Sequence, residues 1–136
     1  MLIAVEREFG ARRVLTEREL RSRDSGVAQR ARYGVWLGGQ RTRRGLHFPD
    51  LVVELEDGAT LAIEVELTAK GPRRLAAIVA AYVRARHVAE VRYYAAPAAR
   101  RGVERAVARA GAQSLFEIRT WKEWDDSAST RGAAAA

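Results

Sequence analysis

The sequence predicts a mixed α/β fold, and three observations predict it. Two runs rich in Val, Leu and Ile, residues 51–56 and 59–67, flank Asp57-Gly58, the strongest short signal for a hairpin turn. After Pro72 the spacing of apolar residues changes from the period of a strand to that of a helix. Strand-like and helix-like segments then alternate, as they do where helices connect the strands of one sheet.

The N-terminal elements are expected to be short. Leu2 to Phe9 predicts a helix that ends at Gly10, a residue favoured just past a helix C-terminus. The run 11–15 is a candidate for a short strand. Thr16 fits a helix N-cap, and Glu19 three residues later completes a capping box for the helix that follows.

The remaining elements follow from residue propensity, periodicity and proline positions. Aromatic and β-branched residues indicate a strand over 31–39, and a glycine-flanked basic loop follows over 38–45. Pro72 and Pro97 each fit the first turn of a helix. After the hairpin strands we expect helices over 72–87 and 97–111 and strands over 90–96 and 114–121. The order is therefore one helix, a small insertion, three strands, then α, β, α, β.

Length and composition are those of a single domain with a hydrophobic core: 136 residues, of which 48% are hydrophobic. We expect this domain over residues 1–124 and a disordered tail over 125–136, where the sequence is low in complexity. The absence of cysteine excludes disulfides and thiolate metal sites and is typical of a cytoplasmic protein. No apolar run approaches the roughly 20 residues of a membrane span. We therefore expect no membrane association.

The charge of the chain favours a nucleic-acid partner. Its net charge is +7, and 22 arginines stand against two lysines, Lys70 and Lys122. Arginine binds phosphate through two parallel hydrogen bonds, so an arginine-rich basic surface suits DNA or RNA. The alternative explanation is a GC-rich genome, which raises both the alanine and the arginine content of a protein.

Two glutamates in the second hairpin strand are expected on one face of the sheet. Side chains alternate along a strand, so Glu64 and Glu66 point the same way. The apolar residues that alternate with them are expected to pack under the helix 72–87: Ile63, Val65 and Leu67. The glutamates then line the opposite face, either as a site or as a solvated surface paired with arginines.

Asp50 is expected beside these glutamates. With a two-residue turn it falls opposite Val65, diagonal to Glu64 and Glu66, and a bulge would shift this register by one residue. Three carboxylates this close repel one another unless a positive charge lies among them. Oxygen ligands of this kind bind Mg²⁺ or Mn²⁺. Lys70 can also reach the cluster if the chain folds back after the strand.

These residues resemble the motif of the PD-(D/E)xK nuclease superfamily. Pro49-Asp50 matches its Pro-Asp at a strand start, and Glu64 matches the acidic residue of the next strand. Glu66 stands where the motif usually has lysine, although some members have glutamate there, and Lys70 is the candidate for a lysine that has migrated. The resemblance implies a restriction-endonuclease-like mixed sheet with an αβββαβ core, here with an additional C-terminal α-β unit.

A closer resemblance is to the plasmid replication-relaxation family. The runs HFPD, EVELTAK and AAIVAAY look like consecutive motifs of that family, and VLTEREL is similar to its upstream segment. The resemblance covers roughly residues 3–95 and only the nuclease-like part of those proteins. Small archaeal Holliday junction resolvases are also similar in size, charge and layout. They act as homodimers, so the resemblance implies a possible homodimer.

The resemblance implies a metal-dependent DNA endonuclease that hydrolyses phosphodiester bonds in the cytoplasm. Asp50 and Glu64 are the implied ligands of Mg²⁺, which Mn²⁺ can replace, and the Val65 carbonyl is a third. Lys70 is implied to orient or activate the attacking water. Glu66 is implied to position that water or to bind a second metal ion.

Further residues are candidates for the same site. The superfamily often adds a glutamate from the first helix, and Glu8 is preferred here to Glu6. Glu17 and Glu19 are alternatives from the second segment. His47 precedes the motif and is a possible site residue because histidine titrates near neutral pH.

Five arginines are candidates for nucleic-acid binding. Arg41, Arg43 and Arg44 lie in the glycine-flanked loop, and Arg73 and Arg74 begin the helix after the hairpin. Such contacts to phosphate are independent of base sequence. The alternative is that they are solvated surface residues.

Two other functions stay open at this point. Glu66 in the usual lysine position favours a non-catalytic DNA-binding regulatory module on a nuclease-like fold. The basic surface alone is also consistent with a protein that binds an acidic protein partner.

Overall fold

The computed structural model describes residues 1–10, 13–24, 31–38 and 45–121. Within these ranges the chain confirms the predicted mixed α/β class. The predicted tail 125–136 and the loop arginines Arg41, Arg43 and Arg44 lie outside them. In chain order the elements are α1 (Leu2–Phe9), β1 (Val14–Thr16), α2 (Glu17–Arg23), β2 (Val35–Trp36), β3 (Leu46–His47), β4 (Leu51–Glu54), β5 (Thr60–Glu66), α3 (Pro72–Arg84), β6 (Val88–Ala95), α4 (Pro97–Arg109) and β7 (Phe116–Thr120).

Five of the strands form one mixed sheet in the order β1-β4-β5-β6-β7. The pairs β1–β4 and β4–β5 are antiparallel, whereas β5–β6 and β6–β7 are parallel. Parallel neighbours need a long crossover, and α3 and α4 provide the two crossovers. The strands β2 and β3 form a separate antiparallel pair. Across the described ranges, none of the helices combines the length and apolar character needed to cross a membrane.

Several local signals in the sequence are confirmed. α1 ends at Gly10, which has a φ of 89°, and Thr16 caps α2, its backbone N–H donating to Glu19 at 2.8 Å. Pro72 and Pro97 begin α3 and α4. α3 ends at Arg84, three residues before its predicted end.

The strand that extends the hairpin sheet is not the one predicted. The sequence predicts the run 31–39 beside the hairpin, but β1 takes that edge, with Val14 opposite Val53. Val14 and Leu15 are buried in two different apolar clusters, one on each face of the sheet. A three-residue run that fills both faces therefore displaces a longer one. From 31–38 only Val35–Trp36 forms a strand, and it pairs with β3.

The turn between β4 and β5 is one residue longer than predicted. The Leu55 N–H donates to the Ala59 carbonyl at 2.9 Å, which leaves residues 56–58 in the turn. Gly58 has a φ of 83°, a conformation that glycine adopts without a Cβ clash. Three-residue hairpin loops commonly end on glycine in this conformation.

The longer turn changes the neighbours of Asp50. Val52 lies opposite Ala62, where a two-residue turn predicts Ile63. Continued past the start of β4, the same register carries Asp50 opposite Glu64 and onto the face of that residue. The predicted register is therefore wrong by one residue.

Different helices cover the two faces of the sheet. α3 and α4 pack on the face that carries Ala62, and α1 packs on the face that carries Ile63. Since side chains alternate along β5, Glu64 lies on the α3 side. The predicted packing of Ile63, Val65 and Leu67 under α3 is therefore wrong, and Leu67 is exposed. A period of two separates the faces of a strand, but it does not say which face a given helix covers.

A buried carboxylate holds the start of the small sheet. Asp24, just after α2, accepts hydrogen bonds from the backbone N–H groups of residues 32–34 at 3.0, 3.1 and 2.9 Å. Gly34 passes so close to β3 that a Cβ there would lie 2.9 Å from Cγ of Leu46. Through the pairing of β2 with β3, these two constraints fix the position of His47.

Replacing Asp24 with alanine is expected to lower the free energy of unfolding by about 3 kcal/mol, because largely buried N–H groups lose a charged acceptor. Urea unfolding followed by circular dichroism measures this loss. The matched control is Glu56→Ala, which removes an exposed carboxylate paired with Arg13 and is expected to cost less than about 0.5 kcal/mol. Similar losses in the two variants would contradict the structural role of Asp24.

Candidate functional site

Three carboxylates meet at one end of the sheet, on the face covered by α3. Asp50 immediately precedes β4, and Glu64 and Glu66 lie near the end of the antiparallel partner β5. We call these three residues the carboxylate cluster. The structure brings two more of the predicted site residues to it, His47 from β3 and Lys70 from the segment after β5.

Asp50 is held by the backbone of β5. Its Oδ2 accepts a hydrogen bond from the Val65 N–H at 2.7 Å. Burial raises the pKa of Asp50 above its ordinary 3.8, the Val65 hydrogen bond opposes this, and the Glu64 charge adds to it. Asp50 is thus a carboxylate whose ionised form the fold stabilises less well than water does.

Glu64 is buried and held from two sides. Only 4% of the residue is exposed. Nε2 of His47 lies 2.6 Å from its Oε1, and the Tyr82 hydroxyl donates to the same oxygen. Burial first, and then the Glu64 charge, raise the pKa of Tyr82 well above 10, so this hydroxyl stays a donor at neutral pH. Among the described residues no hydrogen bond engages Oε2 of Glu64, so that oxygen is the one available to a cation.

The role of Tyr82 goes beyond the sequence prediction. Its spacing in the apolar stripe of α3 predicts a core residue, and the ring is indeed buried against Phe116 and His47. The hydroxyl, however, serves Glu64. A tyrosine at a fully apolar position is a signal in itself, because a buried phenol needs a hydrogen-bond partner.

Lys70 folds back onto Glu66. The chain leaves β5 at Glu66, and the Lys70 ammonium four residues later donates to Oε2 of that glutamate. Its charge also lowers the pKa of Asp50, although burial outweighs it. The Lys70 side chain is 30% exposed and the Glu66 side chain 5%. Lys70 therefore lies on the solvent side of the cluster.

Tyr93 is a site residue that sequence reasoning missed. It lies beside Glu64 in the parallel register, and only 1% of it is exposed. Its hydroxyl has no hydrogen-bond partner among the described residues. Burial, followed by the charges of the carboxylate cluster, raises its pKa well above 10. The sequence offers two adjacent tyrosines, 93 and 94, and no signal that says which one shares the face of Glu64.

Glu8 lies away from the carboxylate cluster. It pairs with Arg92 at 3.3 Å, and Arg92 also pairs with Glu90 and Glu117 at 3.2 and 3.0 Å. Arg92 alternates with Tyr93 along β6, so this ion-pair network is on the α1 side of the sheet. The buried guanidinium of Arg92 needs several carboxylates for charge compensation, and Glu8 is one of them.

Of the two glutamates named as alternatives from the second segment, Glu17 contacts Asp50. Its backbone N–H donates to the Asp50 carbonyl at 3.2 Å, and its charge contributes to the raised pKa of Asp50. The Glu17 carboxylate itself pairs with Arg21. Glu19 is engaged in the capping box with Thr16.

The two described arginines predicted to bind nucleic acid flank the site. Arg73 and Arg74 lie in the first turn of α3, directly after Lys70, and both are exposed. The fold thus places these two charges at the exposed start of α3, three and four residues after Lys70.

The donor chemistry of Asp50 and Glu64 fits a hard divalent cation. Within the described ranges, no group of three or more histidine, aspartate and glutamate side chains is arranged to hold a metal. Mg²⁺ is commonly bound through one or two carboxylates together with water and substrate phosphates. At Asp50 burial outweighs the Val65 hydrogen bond and the Lys70 charge, so a bound cation would relieve the unfavourable ionisation of this carboxylate.

Comparison with known proteins identifies no relative of the chain. No family model matches the chain, and neither the curated proteins nor the solved structures contain a significant match. A function for the chain therefore has to be inferred from the chemistry of the carboxylate cluster and its surroundings.

Asp50→Asn is expected to raise the free energy of unfolding at pH 7 in the absence of metal. An acid whose pKa is raised by folding holds its proton more tightly in the folded chain, so its ionisation destabilises the fold as the pH rises above 3.8. Asparagine keeps an oxygen for the Val65 N–H and carries no charge. Urea unfolding in EDTA between pH 3 and pH 7 measures the gain, which should shrink towards acid. Asp57→Asn, in the exposed turn, is the control, and an equal gain in both variants would contradict this account.

Tyr82→Phe is expected to lower the free energy of unfolding, whereas Tyr93→Phe is not. The first removes a donor from buried Glu64 and should lower the free energy of unfolding by about 1–2 kcal/mol. The second removes a buried hydroxyl without a described partner. It should leave the free energy of unfolding unchanged or raise it by about 1 kcal/mol. Thermal and urea unfolding of the two variants side by side test this, and losses of equal size would count against it.

Proposed function

We propose that the chain is a metal-dependent DNA endonuclease of the PD-(D/E)xK type, built on a restriction-endonuclease-like form of the mixed sheet. The observation that carries this proposal is the meeting of Asp50, Glu64, Glu66 and Lys70 at one end of the β4–β5 hairpin. Paired carboxylates beside a lysine suit phosphodiester hydrolysis, because both the attacking water and the phosphate need charge compensation. The arginine-rich charge of the chain suits a DNA substrate.

Asp50 and Glu64 would hold Mg²⁺, for which Mn²⁺ can substitute, with the Val65 carbonyl as a third ligand. Bound there, the ion would lower the pKa of a water and neutralise charge on the phosphate. The raised pKa of Asp50 supports this role, since a cation relieves the unfavourable ionisation of that carboxylate. His47 and Tyr82 hold Oε1 of Glu64, which would leave Oε2 to bind the ion.

Lys70 supplies a fixed positive charge at the solvent side of the cluster. Held by Glu66, its ammonium can donate to the attacking water or to a phosphate oxygen without a large change of rotamer. Glu66 in this account is a positioning residue for Lys70, which explains a glutamate in the position where the superfamily usually has lysine. Arg73 and Arg74 are placed to contact phosphates beyond the scissile one.

The setting we propose is cytoplasmic DNA processing, resolvase-like or linked to plasmids and other mobile elements. A homodimer suits the cutting of two strands. The second candidate function is a non-catalytic DNA-binding regulatory module. The Glu66–Lys70 pair favours it, because an acid neutralises the lysine that catalysis needs.

Asp50→Asn is expected to reduce Mg²⁺-dependent DNA cleavage by at least about a hundredfold, since a metal ligand contributes several kcal/mol to the transition state. A gel assay with linear and branched DNA in Mg²⁺, Mn²⁺ or EDTA measures it. The matched control is Glu104→Gln, which removes an exposed carboxylate on α4 that pairs with Arg100.

Full cleavage by Asp50→Asn would overturn the assignment of the metal site. DNA binding without cleavage in either metal, and without Mn²⁺ binding by calorimetry, would favour the regulatory module. The unfolding measurement on the same variant shows whether a loss of cleavage comes from unfolding.

A further inference from the structure

A basic groove runs between α3 and α4, separate from the carboxylate cluster except at one end. Its volume is about 820 Å³. Lys70 lines one end of it, and three arginines of α4 line its side: Arg101, Arg105 and Arg109. Among the described residues that line the groove, every charged one is basic. The groove therefore presents positive charge from Lys70 along the length of α4.

The three arginines form a regular row. They are four residues apart on one helix, so they lie on the same face with a rise of about 6 Å per step and about 12 Å overall. All three are exposed, and none makes an ion pair or hydrogen bond with a described residue. Arg100, their neighbour on α4, instead pairs with Glu104 at 2.7 Å. The charge of the row is thus uncompensated, whereas on the adjacent face of α4 Arg100 is paired with Glu104.

Small side chains keep the floor of the groove clear. Ala98, Gly102 and Ala106 share the lining with the arginines. At Gly102 the helices approach closely, since a Cβ there would lie 3.3 Å from Cδ1 of Leu75. The described residues of the lining include no aromatic side chain on which a base could stack. Such a groove suits a charged backbone rather than bases.

We propose that this groove binds the sugar–phosphate backbone of a single DNA strand and leads it to Lys70. Arg101, Arg105 and Arg109 contact successive phosphates, and recognition is independent of sequence. The groove, of about 820 Å³, has the size of a pocket for a molecule of a few nucleotides rather than for a duplex. Only the direction of the strand, towards Lys70 and the carboxylate cluster, rests on the proposed endonuclease function.

The test measures DNA binding in EDTA, where no cleavage occurs. The variant carries Arg101→Ala, Arg105→Ala and Arg109→Ala together, and the control carries Arg7→Ala, Arg18→Ala and Arg86→Ala, three exposed arginines outside the groove. Fluorescence anisotropy with a labelled single-stranded oligonucleotide, and with a duplex of the same sequence, gives affinities at several salt concentrations. Urea unfolding confirms that both variants are folded.

The groove variant is expected to lose about tenfold to a hundredfold in single-strand affinity at low salt. Its slope of log affinity against log salt should fall by about 2, since each phosphate contact to a single strand contributes about 0.7. The control should stay within about twofold. Equal losses in both variants, an unchanged groove variant, or an equal loss for duplex DNA would overturn the proposal. Preferential binding of a polyglutamate peptide would also overturn it and assign the groove to an acidic protein partner.

The outcome is independent of the endonuclease assignment. If the unmodified protein fails to cleave DNA but the groove variant loses single-strand affinity, the proposed function is wrong and the groove assignment is right. If Asp50→Asn abolishes cleavage but the groove variant binds as the unmodified protein does, the reverse is true.

Discussion

The burial of the Glu64 carboxylate under α3 is the constraint on which the rest of the site depends. A buried carboxylate is tolerated only where donors hold it, and here they come from two separate elements, His47 of β3 and Tyr82 of α3. Satisfying Glu64 therefore ties the small sheet and the crossover helix to the centre of the main sheet. The position of Asp50 follows from that of Glu64, because its carboxylate accepts a hydrogen bond from Val65, the residue after Glu64 in β5.

The negative charge of the carboxylate cluster is only partly balanced by the positive charges around it. Three carboxylates face one lysine and one histidine, the pKa of Asp50 is raised mainly by burial, and the Tyr93 hydroxyl is left without a described partner. On the other face of the same sheet, the buried Arg92 is surrounded by three glutamates. The buried guanidinium on one face thus has three ion-pair partners, whereas on the other face burial outweighs the hydrogen bond and the lysine charge that favour ionised Asp50. Natural proteins carry such local instability at functional sites.

Much of the fold could be predicted from the sequence because its signals are local. The Asp57-Gly58 turn, the Thr16–Glu19 capping box and the prolines that begin α3 and α4 each act within a few residues. What could not be predicted depends on contacts between distant segments. The hairpin register depends on whether Gly58 closes a turn of two or of three residues. The face of the sheet that α3 covers depends on tertiary packing. The convergence of Asp50, Glu64, Glu66 and Lys70 was predictable from spacing, whereas Tyr93 and the destination of Glu8 were not.

The hydrogen bonds that Asp24 accepts from residues 32–34 have a consequence for how the chain can change in length. They join the end of α2 to residues 32–34, so the position of β2 relative to α2 is set at this junction. Doubling the length of a flexible connection between two joined points costs only about 0.6 kcal/mol in closure entropy. Insertions there can accumulate, or carry an additional binding element, while His47 keeps its distance from Glu64.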